Sequence, residues 1–435
     1  MFNRIIACIE QAFQLLPNYR QASNGTKYQV SDAALSAFSV FFMQSPSFLA
    51  HQQARKSKQG RSNLESLFGT QATPSDNQIR NILDPIAPQS LSRVFWQIYQ
   101  ILNESKRIES YRDLHNTLLC GMDGTQYFSS YEICCQHCQR REIGDKILYN
   151  HGVIAPVLVA PGREEVISLE PEFIWPQDGS EKQDCEQNAL KRWVQRNAAR
   201  FAPFSLTLLA DDLHSHQPTC QLCLEHELNF IFVCKPDSHP ALYQEVALLE
   251  RIDAVSVKRV RRWNGRRHEL DTYRFVDALP LHAGADALRL NWCELTTTDE
   301  TTGAQLYKNA FITNFAITDS SVAPTVRAGR ARWKSENENH RTLKHQGYNL
   351  EHNFGHGSHY LSMILLMLNL LAFLCHTLLA LTDQLYQQIR LALGARKTFF
   401  NDLRALTRYF YFDSWSHLLT FMAQQLELDL SSLPP

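Results

Sequence analysis

The sequence predicts a mixed α/β fold in which helices flank a sheet with buried central strands. Two observations lead to this prediction. Apolar segments alternate with amphipathic helical segments between residues 117 and 237. Two of these segments, residues 206–210 and 230–234, are almost uninterrupted apolar runs, which is typical of strands covered on both faces.

Length and composition set broad limits on the protein. A chain of 435 residues is long for one compact core, so we expect several structural regions. The formal net charge of -1 neither indicates nor excludes a nucleic-acid partner, and any basic surface must be local. The 11 cysteines, and an N-terminus patterned as an amphipathic helix rather than a leader, predict a reducing, cytoplasmic location.

Residues 1–115 predict an N-terminal helical region. Apolar residues recur at helical spacing in residues 31–53 and 90–105. Residues 73–86 combine an N-cap pattern with a helix that ends near Pro85.

Residues 116–240 predict the first part of the α/β core. We expect, in order, a strand within residues 117–130 that ends in Asp123-Gly124, strands at 146–162 and 164–174, a helix at 183–201, a strand at 204–212, a helix at 217–229 and a strand at 230–237. Residues 241–320 alternate with period two and turn at Asn-Gly and Thr-Gly pairs, so they predict a β-rich insertion. Residues 321–435 return to helical patterns and predict the last part of the core with a helical tail.

One segment, residues 360–381, is apolar and long enough to span a bilayer. Asn369 and His376 interrupt it, and no basic loop orients it. We therefore expect a buried core helix and no membrane partner.

Acidic residues end two of the predicted strands. Asp123 ends the first strand and Asp211 the fourth. If these strands are neighbours, both carboxylates emerge at the edge where α/β sheets bind ligands. With a third carboxylate from a later helix they would supply the oxygen ligands that Mg²⁺ prefers, and two such ions can serve phosphoryl transfer. Taken singly, each acid fits a turn, a helix cap or a solvated helix face equally well.

Three segments carry a specific resemblance. Residues 122–128, 208–239 and 330–357 resemble the catalytic regions of bacterial insertion-sequence transposases, which have an RNase H-like fold and an Asp-Asp-Glu triad. Residues 73–85 and 171–193 extend the likeness to most of the chain. It is strongest to the group with a β-rich insertion before the catalytic glutamate.

The resemblance implies a function and a set of roles. Asp123, Asp211 and Glu336 would be catalytic and hold Mg²⁺, which Mn²⁺ can replace, while Arg332 and Lys344 would contact DNA phosphate. The protein would bind the ends of its element through the N-terminal region, residues 1–115, cleave phosphodiester bonds there and transfer the strands into target DNA. Its partner would be double-stranded DNA in the bacterial nucleoid, bound by a homodimer in the synaptic complex. An RNase H-like nuclease without strand transfer and an inactive DNA-binding remnant are the alternatives.

Asp212 is the alternative to Asp211 as the second acid. Neighbouring residues of a strand face opposite ways, so only one of the two can reach a shared metal. The family has its aspartate directly after the strand, which favours Asp211. We expect Asp212 to cap the following turn.

The third acid is less determined by the pattern. Glu336 lies four residues after Arg332, on the same helix face, as the family spacing requires. However, Lys344 follows Glu336 by eight residues where the family has seven, and Gly329 stands where the family has a tyrosine. The remaining alternatives are Glu338 and Glu351.

The predicted insertion contains a basic hairpin. Six cations fall within residues 258–267, together with Trp263. We expect this hairpin to follow a DNA phosphate backbone, with Arg259, Arg261 and Arg262 as contacts. The alternative is a solvated edge hairpin whose charge prevents aggregation.

Cysteine and histidine patterns leave zinc disfavoured. Cys135-x-x-Cys138 and Cys220-x-x-Cys223 are two half-sites, but a whole helix–strand unit separates them. A later loop contains His352, His356 and His359, yet no complete tetrahedral set can be drawn from it. We therefore expect buried thiols and a hydrogen-bonded loop rather than zinc.

Overall fold

The computed structural model describes residues 1–21, 27–55, 57–176 and 185–429. The helices are α1 Phe2–Gln14, α2 Val30–Phe42, α3 Phe48–Ala54, α4 Lys58–Phe68, α5 Asp76–Leu83, α6 Ser92–Glu104, α7 Glu186–Phe201, α8 Gln217–Glu225, α9 Pro240–Arg251, α10 Val322–Arg330, α11 Arg341–His345, α12 Leu361–Thr382, α13 Gln384–Leu393, α14 Arg396–Tyr409 and α15 Trp415–Gln425. A π-helical turn, Ser335–His340, directly precedes α11. The predicted start of α7 at Gln183 lies outside the described residues.

The strands are β1 Leu118–Gly121, β2 Gly124–Ser130, β3 Gln139–Ile143, β4 Lys146–Ile154, β5 Val157–Val159, β6 Ile167–Ser168, β7 Glu172–Ile174, β8 Leu206–Ala210, β9 Asn229–Val233, β10 Ser256–Trp263, β11 His268–Pro280, β12 Arg289–Asp299 and β13 Gln305–Thr313. The large sheet has nine strands in the order β10-β11-β12-β13-β9-β8-β1-β5-β6. Strands β1, β8 and β9 are parallel, and the other neighbours are antiparallel. The predicted mixed α/β fold is confirmed.

Each of the first three segments of the predicted core is divided between two sheets. Their parts β1, β5 and β6 join the large sheet, whereas β2, β4 and β7 form a small sheet with β3. The chain bends at Asp123, at Pro156 and at Pro171, and a proline cannot donate a hydrogen bond to continue a ladder. The first strand ends at Gly121, just before Asp123, as predicted, whereas the prediction of one strand each at residues 146–162 and 164–174 was wrong.

The β-rich insertion continues the large sheet. Strand β13 pairs with β9 through Phe311 and Val233, and β12, β11 and β10 follow outward as antiparallel neighbours. The insertion begins with helix α9 rather than with a strand. Pro240 is the first residue of this helix, where the fixed backbone angle of proline is favourable.

Helices from the two ends of the chain pack together. Helix α12 contacts α2, α5 and α6, and α14 contacts α4. The Asn63 side chain donates to the carbonyl oxygens of Thr407 and Phe410, and the Trp415 indole donates to the carbonyl of Leu67. The predicted regions 1–115 and 321–435 thus share one helical layer, and α12 joins this layer to the sheet at β6.

Helix α12 is the core helix that the sequence predicts. It is the one helix within the described part of the chain that is long and apolar enough to cross a membrane, and 94% of its most apolar window is buried inside the protein. Its two polar interruptions bind Tyr348: Asn369 donates to the backbone carbonyl at 2.9 Å, and His376 Nδ1 lies 2.7 Å from the phenol oxygen. Both side chains are hydrogen-bonded within the core rather than facing lipid.

Candidate functional site

The pairing of β1 with β8 brings the first two predicted acids together. Gly121 on β1 is opposite Leu209 on β8, and the strands are parallel. Continuing this register by two residues brings Asp123 beside Asp211. Both carboxylates therefore lie at the carboxyl end of the large sheet, which is the edge where α/β proteins bind ligands.

A close packing contact brings the third predicted acid to the same edge. The π-helical turn lies against β1 so tightly that a Cβ atom on Gly121 would be 2.1 Å from Ser335 Oγ. A side chain at this position would displace the Ser335 hydroxyl. Glu336 is the next residue of that turn, so this contact holds its backbone near the end of β1.

Arg332 joins two of these acids. Its Nη1 lies 3.9 Å from Asp123 Oδ1, and its Nη2 donates to Glu336 Oε1 at 2.7 Å. Because both carboxylates contact one rigid guanidinium, these two oxygens are no more than about 9 Å apart. The arginine that we expected to contact DNA phosphate neutralises the acids in this structure.

A fourth carboxylate, which the sequence interpretation missed, belongs to this site. The backbone N–H of Gly124 donates to Glu186 Oε1 at 2.8 Å, and a Cβ atom on Gly124 would collide with that carboxylate. His214 Nε2 lies 3.6 Å away and, as the main cause, holds the pKa of Glu186 below its usual value. The sequence signal was weak, because an acid in the first turn of a helix such as α7 is also explained by the helix dipole.

We call Asp123, Glu186, Asp211 and Glu336 the acidic cluster. Burial, as the main cause, and the charges of the other three acids raise the pKa of Asp123 to about 7 against the opposing effect of Arg332. His340 Nδ1 lies 3.4 Å from Asp123 Oδ2, but burial and Lys344 lower the pKa of His340 to about 4, so it is neutral near pH 7. The cluster therefore carries an excess of negative charge that a bound cation would relieve.

The two neighbouring aspartates after β8 have different surroundings. Asp212 accepts hydrogen bonds from the Lys235 backbone N–H at 2.6 Å and from the Ser238 hydroxyl, so it holds the loop after β9. Asp211 accepts from the Leu213 backbone N–H at 3.1 Å and is among the acids that act on Asp123. The capping role expected of Asp212 thus belongs to Asp211, which also faces the cluster.

The two alternative glutamates lie elsewhere. Glu338 lines a cleft with Arg163, Arg327 and Trp333. Glu351 is exposed and pairs with Lys344 at 2.8 Å. Neither contributes to the shifted pKa of Asp123, whereas Glu336 does.

The π-helical turn accounts for one departure from the family pattern. Two turns of α-helix cover about seven residues, and a π turn, closed by an i→i+5 hydrogen bond, accommodates about one more. Lys344 follows Glu336 by eight residues, and the π-helical turn Ser335–His340 before α11 accommodates the extra one. Lys344 therefore lies where a spacing of seven residues would place it in a regular α-helix.

The second departure has a packing explanation. A Cβ atom on Gly329 would lie 2.8 Å from the Phe311 ring and 2.9 Å from Ile231 Cγ2. Helix α10 thus lies directly on β13 and β9 at this point. A tyrosine at this position would force the helix away from the sheet.

The basic hairpin is largely neutralised by acids of the insertion. Arg262 pairs with the buried carboxylates of Glu269 and Asp271, and Arg261 pairs with Glu300. Arg267 pairs with Glu269 and Asp299, and Lys258 donates to the Asp319 carbonyl. Arg259 and Arg266 are exposed and have no ion pair within the described ranges, so fewer cations are available to DNA than the sequence suggests.

A second group of ligating side chains lies at the small sheet. One potential ligand atom from each of Cys135, Cys138, His151 and His356 lies within 4.8 Å of the other three. We call this group the Cys/His cluster. Hydrogen bonds to Cys138 and His151 hold the pKa of the Cys135 thiol well below its usual range, and the pKa of Cys138 is raised by its contact with Cys135.

The sequence interpretation disfavoured zinc because it found no complete ligand set, and the structure supplies one. The partners of Cys135 and Cys138 are not Cys220 and Cys223, and they include only His356 from the histidine-rich loop. His151 was missed, although twelve residues separate it from Cys138, as in zinc fingers.

Neither a family model nor a curated protein matches the chain.

Proposed function

We propose that the protein is a DDE transposase of an insertion sequence. It binds the ends of its element, cleaves phosphodiester bonds there and transfers the cleaved strands into target DNA. One observation carries the proposal: acids from three distant parts of the chain, Asp123, Asp211 and Glu336, converge at one edge of the large sheet. These are the acids that the family resemblance selects.

The topology supports an RNase H-like core. Three antiparallel strands, β1, β5 and β6, are followed by β8 and β9, which are parallel to β1 and are each preceded by a helix. This is the order of elements that the resemblance implies for the catalytic core. The β-rich insertion falls between β9 and the π-helical turn that carries Glu336, as it does in the family group.

The donor set of the acidic cluster fits Mg²⁺ or Mn²⁺. All its ligand atoms are carboxylate oxygens, and the cluster has more negative charge than Arg332 balances. A bound divalent cation would stabilise negative charge on the phosphate and lower the pKa of an attacking water. Asp123 must be ionised to bind the cation. Arg332, which holds Asp123 and Glu336 here, is free to contact the scissile phosphate once a cation takes over their charge.

DNA would reach this edge from the open side. Glu336 is 53% exposed and Asp123 only 17%, so the cluster is open at Glu336 and closed toward the sheet. Lys344, the exposed cations Arg259 and Arg266, and the N-terminal helices are the candidate contacts for element ends and target. We further propose that the protein acts in the bacterial nucleoid as a homodimer in the synaptic complex.

The experiment is a cleavage assay on plasmid DNA that carries both flanks of the gene, with Mg²⁺ or Mn²⁺. We expect nicking at the element ends by the wild-type protein and by Glu338→Gln, and none by Glu336→Gln or Asp123→Ala. Glu338→Gln is the matched control, because it removes a carboxylate from the same π-helical turn.

Three outcomes would overturn parts of this proposal. End binding without cleavage in either metal would identify an inactive DNA-binding remnant. Cleavage without joining of pre-cleaved ends to a target would identify a nuclease without strand transfer. Cleavage that survives Glu336→Gln but not Glu338→Gln or Glu351→Gln would move the third acid to that position.

A further inference from the structure

We propose that the Cys/His cluster binds one structural Zn²⁺ ion, which ties the small sheet to the loop before α12. This inference is independent of the proposed function, because no part of it depends on DNA cleavage. It rests on the distances between the four ligand atoms, on the orientation of the two imidazoles and on the backbone around the two sulfurs.

Four of the six distances between the ligand atoms match those of a tetrahedral zinc site, and all six lie within 4.8 Å. A zinc ion with Zn–S bonds of about 2.3 Å and Zn–N bonds of about 2.0–2.1 Å separates two sulfurs by about 3.8 Å and a sulfur from a nitrogen by about 3.6 Å. In the protein, Cys135 Sγ and Cys138 Sγ are 3.8 Å apart. His151 Nε2 lies 3.5 Å from Cys135 Sγ and 3.4 Å from Cys138 Sγ, and His356 Nε2 lies 3.5 Å from Cys138 Sγ.

Both imidazoles turn the same ring nitrogen toward the sulfurs. The Nδ1 atoms of His151 and His356 are buried and have no hydrogen-bond partner among the described residues. In the part of the chain that the structure describes, the Nε2 atoms have cysteine sulfurs as their hydrogen-bond partners. Aromatic neighbours hold the rings in place, since Tyr127 stacks on His151 at 5.6 Å and Phe128 packs on His356 at 4.2 Å. Two convergent imidazoles and two thiols at one buried point are explained by a shared cation.

The loop between β2 and β3 is shaped for thiolate ligands. The backbone N–H of Cys135 donates to Cys138 Sγ, and that of His137 donates to Cys135 Sγ, each at 3.4 Å. Backbone donors of this kind stabilise negative charge on sulfur. A disulfide requires an S–S distance of about 2.05 Å, and both cysteines are free in this structure. Two thiolates with two imidazoles form a closed set that suits Zn²⁺, whereas Mg²⁺ prefers oxygen ligands.

The ion would connect segments that are distant in the sequence. Cys138 and His356 are 218 residues apart. The loop that carries His356 is also held by Asp84, whose carboxylate accepts from the backbone N–H groups of Ser358, His359 and Leu361. This loop follows α11, which bears Lys344, and leads into α12. Zinc would therefore fix the position of the loop between the acidic cluster and the core helix.

The test measures zinc in the full chain, purified under reducing conditions and reloaded with Zn²⁺ or Co²⁺ after chelation. We expect one zinc per chain in the wild-type protein and close to none in Cys138→Ser. We expect the Co²⁺ form to show the strong visible bands of tetrahedral cobalt and sulfur-to-cobalt charge transfer. The matched controls are Cys134→Ser, an exposed cysteine next to the cluster, and His359→Ala, a histidine of the same loop; both should keep the metal.

A conservative variant separates loss of a ligand from loss of the fold. His356→Cys keeps a ligand at that position and should bind one zinc, with stronger charge-transfer bands in the Co²⁺ form. The proposal is overturned if the reloaded wild-type protein binds no zinc, or no more than Cys138→Ser. Cobalt binding without charge-transfer bands would also overturn it, because the ion would then lie away from the cysteines.

Discussion

Asp123 of the acidic cluster lies between β1 and β2, and Cys135 of the Cys/His cluster follows β2. The two clusters are nevertheless built in opposite ways. The acidic cluster presents carboxylate oxygens, is open to solvent at Glu336 and is balanced only in part by Arg332. The Cys/His cluster presents sulfur and nitrogen, and three of its four residues are buried. An open oxygen site is suited to exchange substrate, and a closed sulfur–nitrogen site is suited to hold structure.

The difference teaches that ligand chemistry and exposure must be considered together. Acids at a sheet edge are tolerated there because solvent and Arg332 relieve their repulsion. Thiolates and imidazoles can be buried together because a shared cation would offset the charge of the thiolates. Substitutions in the acidic cluster should therefore lower activity while the fold persists. Substitutions in the Cys/His cluster should lower stability.

The largest effect is expected at the second aspartate. Asp211→Asn should lower the cleavage rate on the order of a thousandfold, because it removes a metal-binding charge, while the melting temperature stays close to the wild-type value. Asp212→Asn should instead lower the melting temperature, because it weakens the bonds to Lys235 and Ser238, and should keep most activity. Cleavage rates and thermal melts of both variants check this, and the reverse pattern would exchange their roles.

The next effect contrasts the two clusters directly. His356→Ala should lower the free energy of unfolding of the zinc-loaded protein by about 3 kcal/mol or more, because a structural zinc site contributes to folding. Glu336→Gln should change it little, since Glu336 is half-exposed. Denaturant unfolding with and without chelator measures both. If His356→Ala were as stable as the wild type, the Cys/His cluster would not stabilise the fold, and this difference from the acidic cluster would be contradicted.

A smaller effect is a pH dependence of stability in the metal-free protein. Because the pKa of Asp123 is raised from 3.8 to about 7 on folding, the folded state binds more protons than the unfolded state in that interval. The contribution of Asp123 to stability is therefore fully present at low pH and is lost as pH rises toward 7. Asp123→Asn should flatten this decline and melt a few degrees higher at pH 8. Thermal melts from pH 4 to pH 8 measure the dependence, and an unchanged decline in the variant would contradict it.

The smallest effect concerns the basic hairpin and DNA. Arg259→Ala should lower the slope of log K against log salt by about one, because one phosphate contact is lost. Arg262→Ala should mainly reduce stability, because it removes the cation paired with the buried carboxylate of Asp271 and leaves Glu269 with Arg267 alone. Binding titrations over a range of salt, with thermal melts, separate the two. An unchanged slope for Arg259→Ala would take this residue out of the DNA interface.

Local patterns predicted much of the molecule correctly. The helices α2, α5, α6 and α8, the buried strands β8 and β9, and the core helix α12 follow from periodicity, because burial of a regular element repeats along the sequence. The pairing of β1 with β8 was a condition of the proposed acidic site, and the structure has this pairing. Asp123 and Asp211 were found from local patterns, since each lies directly after an apolar run.

The same patterns could not predict where a strand changes sheets. Residues 146–162 and 164–174 were each interpreted as one strand, and only pairing partners far away in the sequence decide which part joins which sheet. The sequence alone therefore determined the element types, the core helix and the two aspartates at strand ends. Three features were decided only by the tertiary structure. They are the contact of Glu186 with Gly124, the position of Glu336 in a π-helical turn and the contact of Cys138 with His356. The physical reason is that these contacts join residues whose separation along the chain leaves no periodic trace.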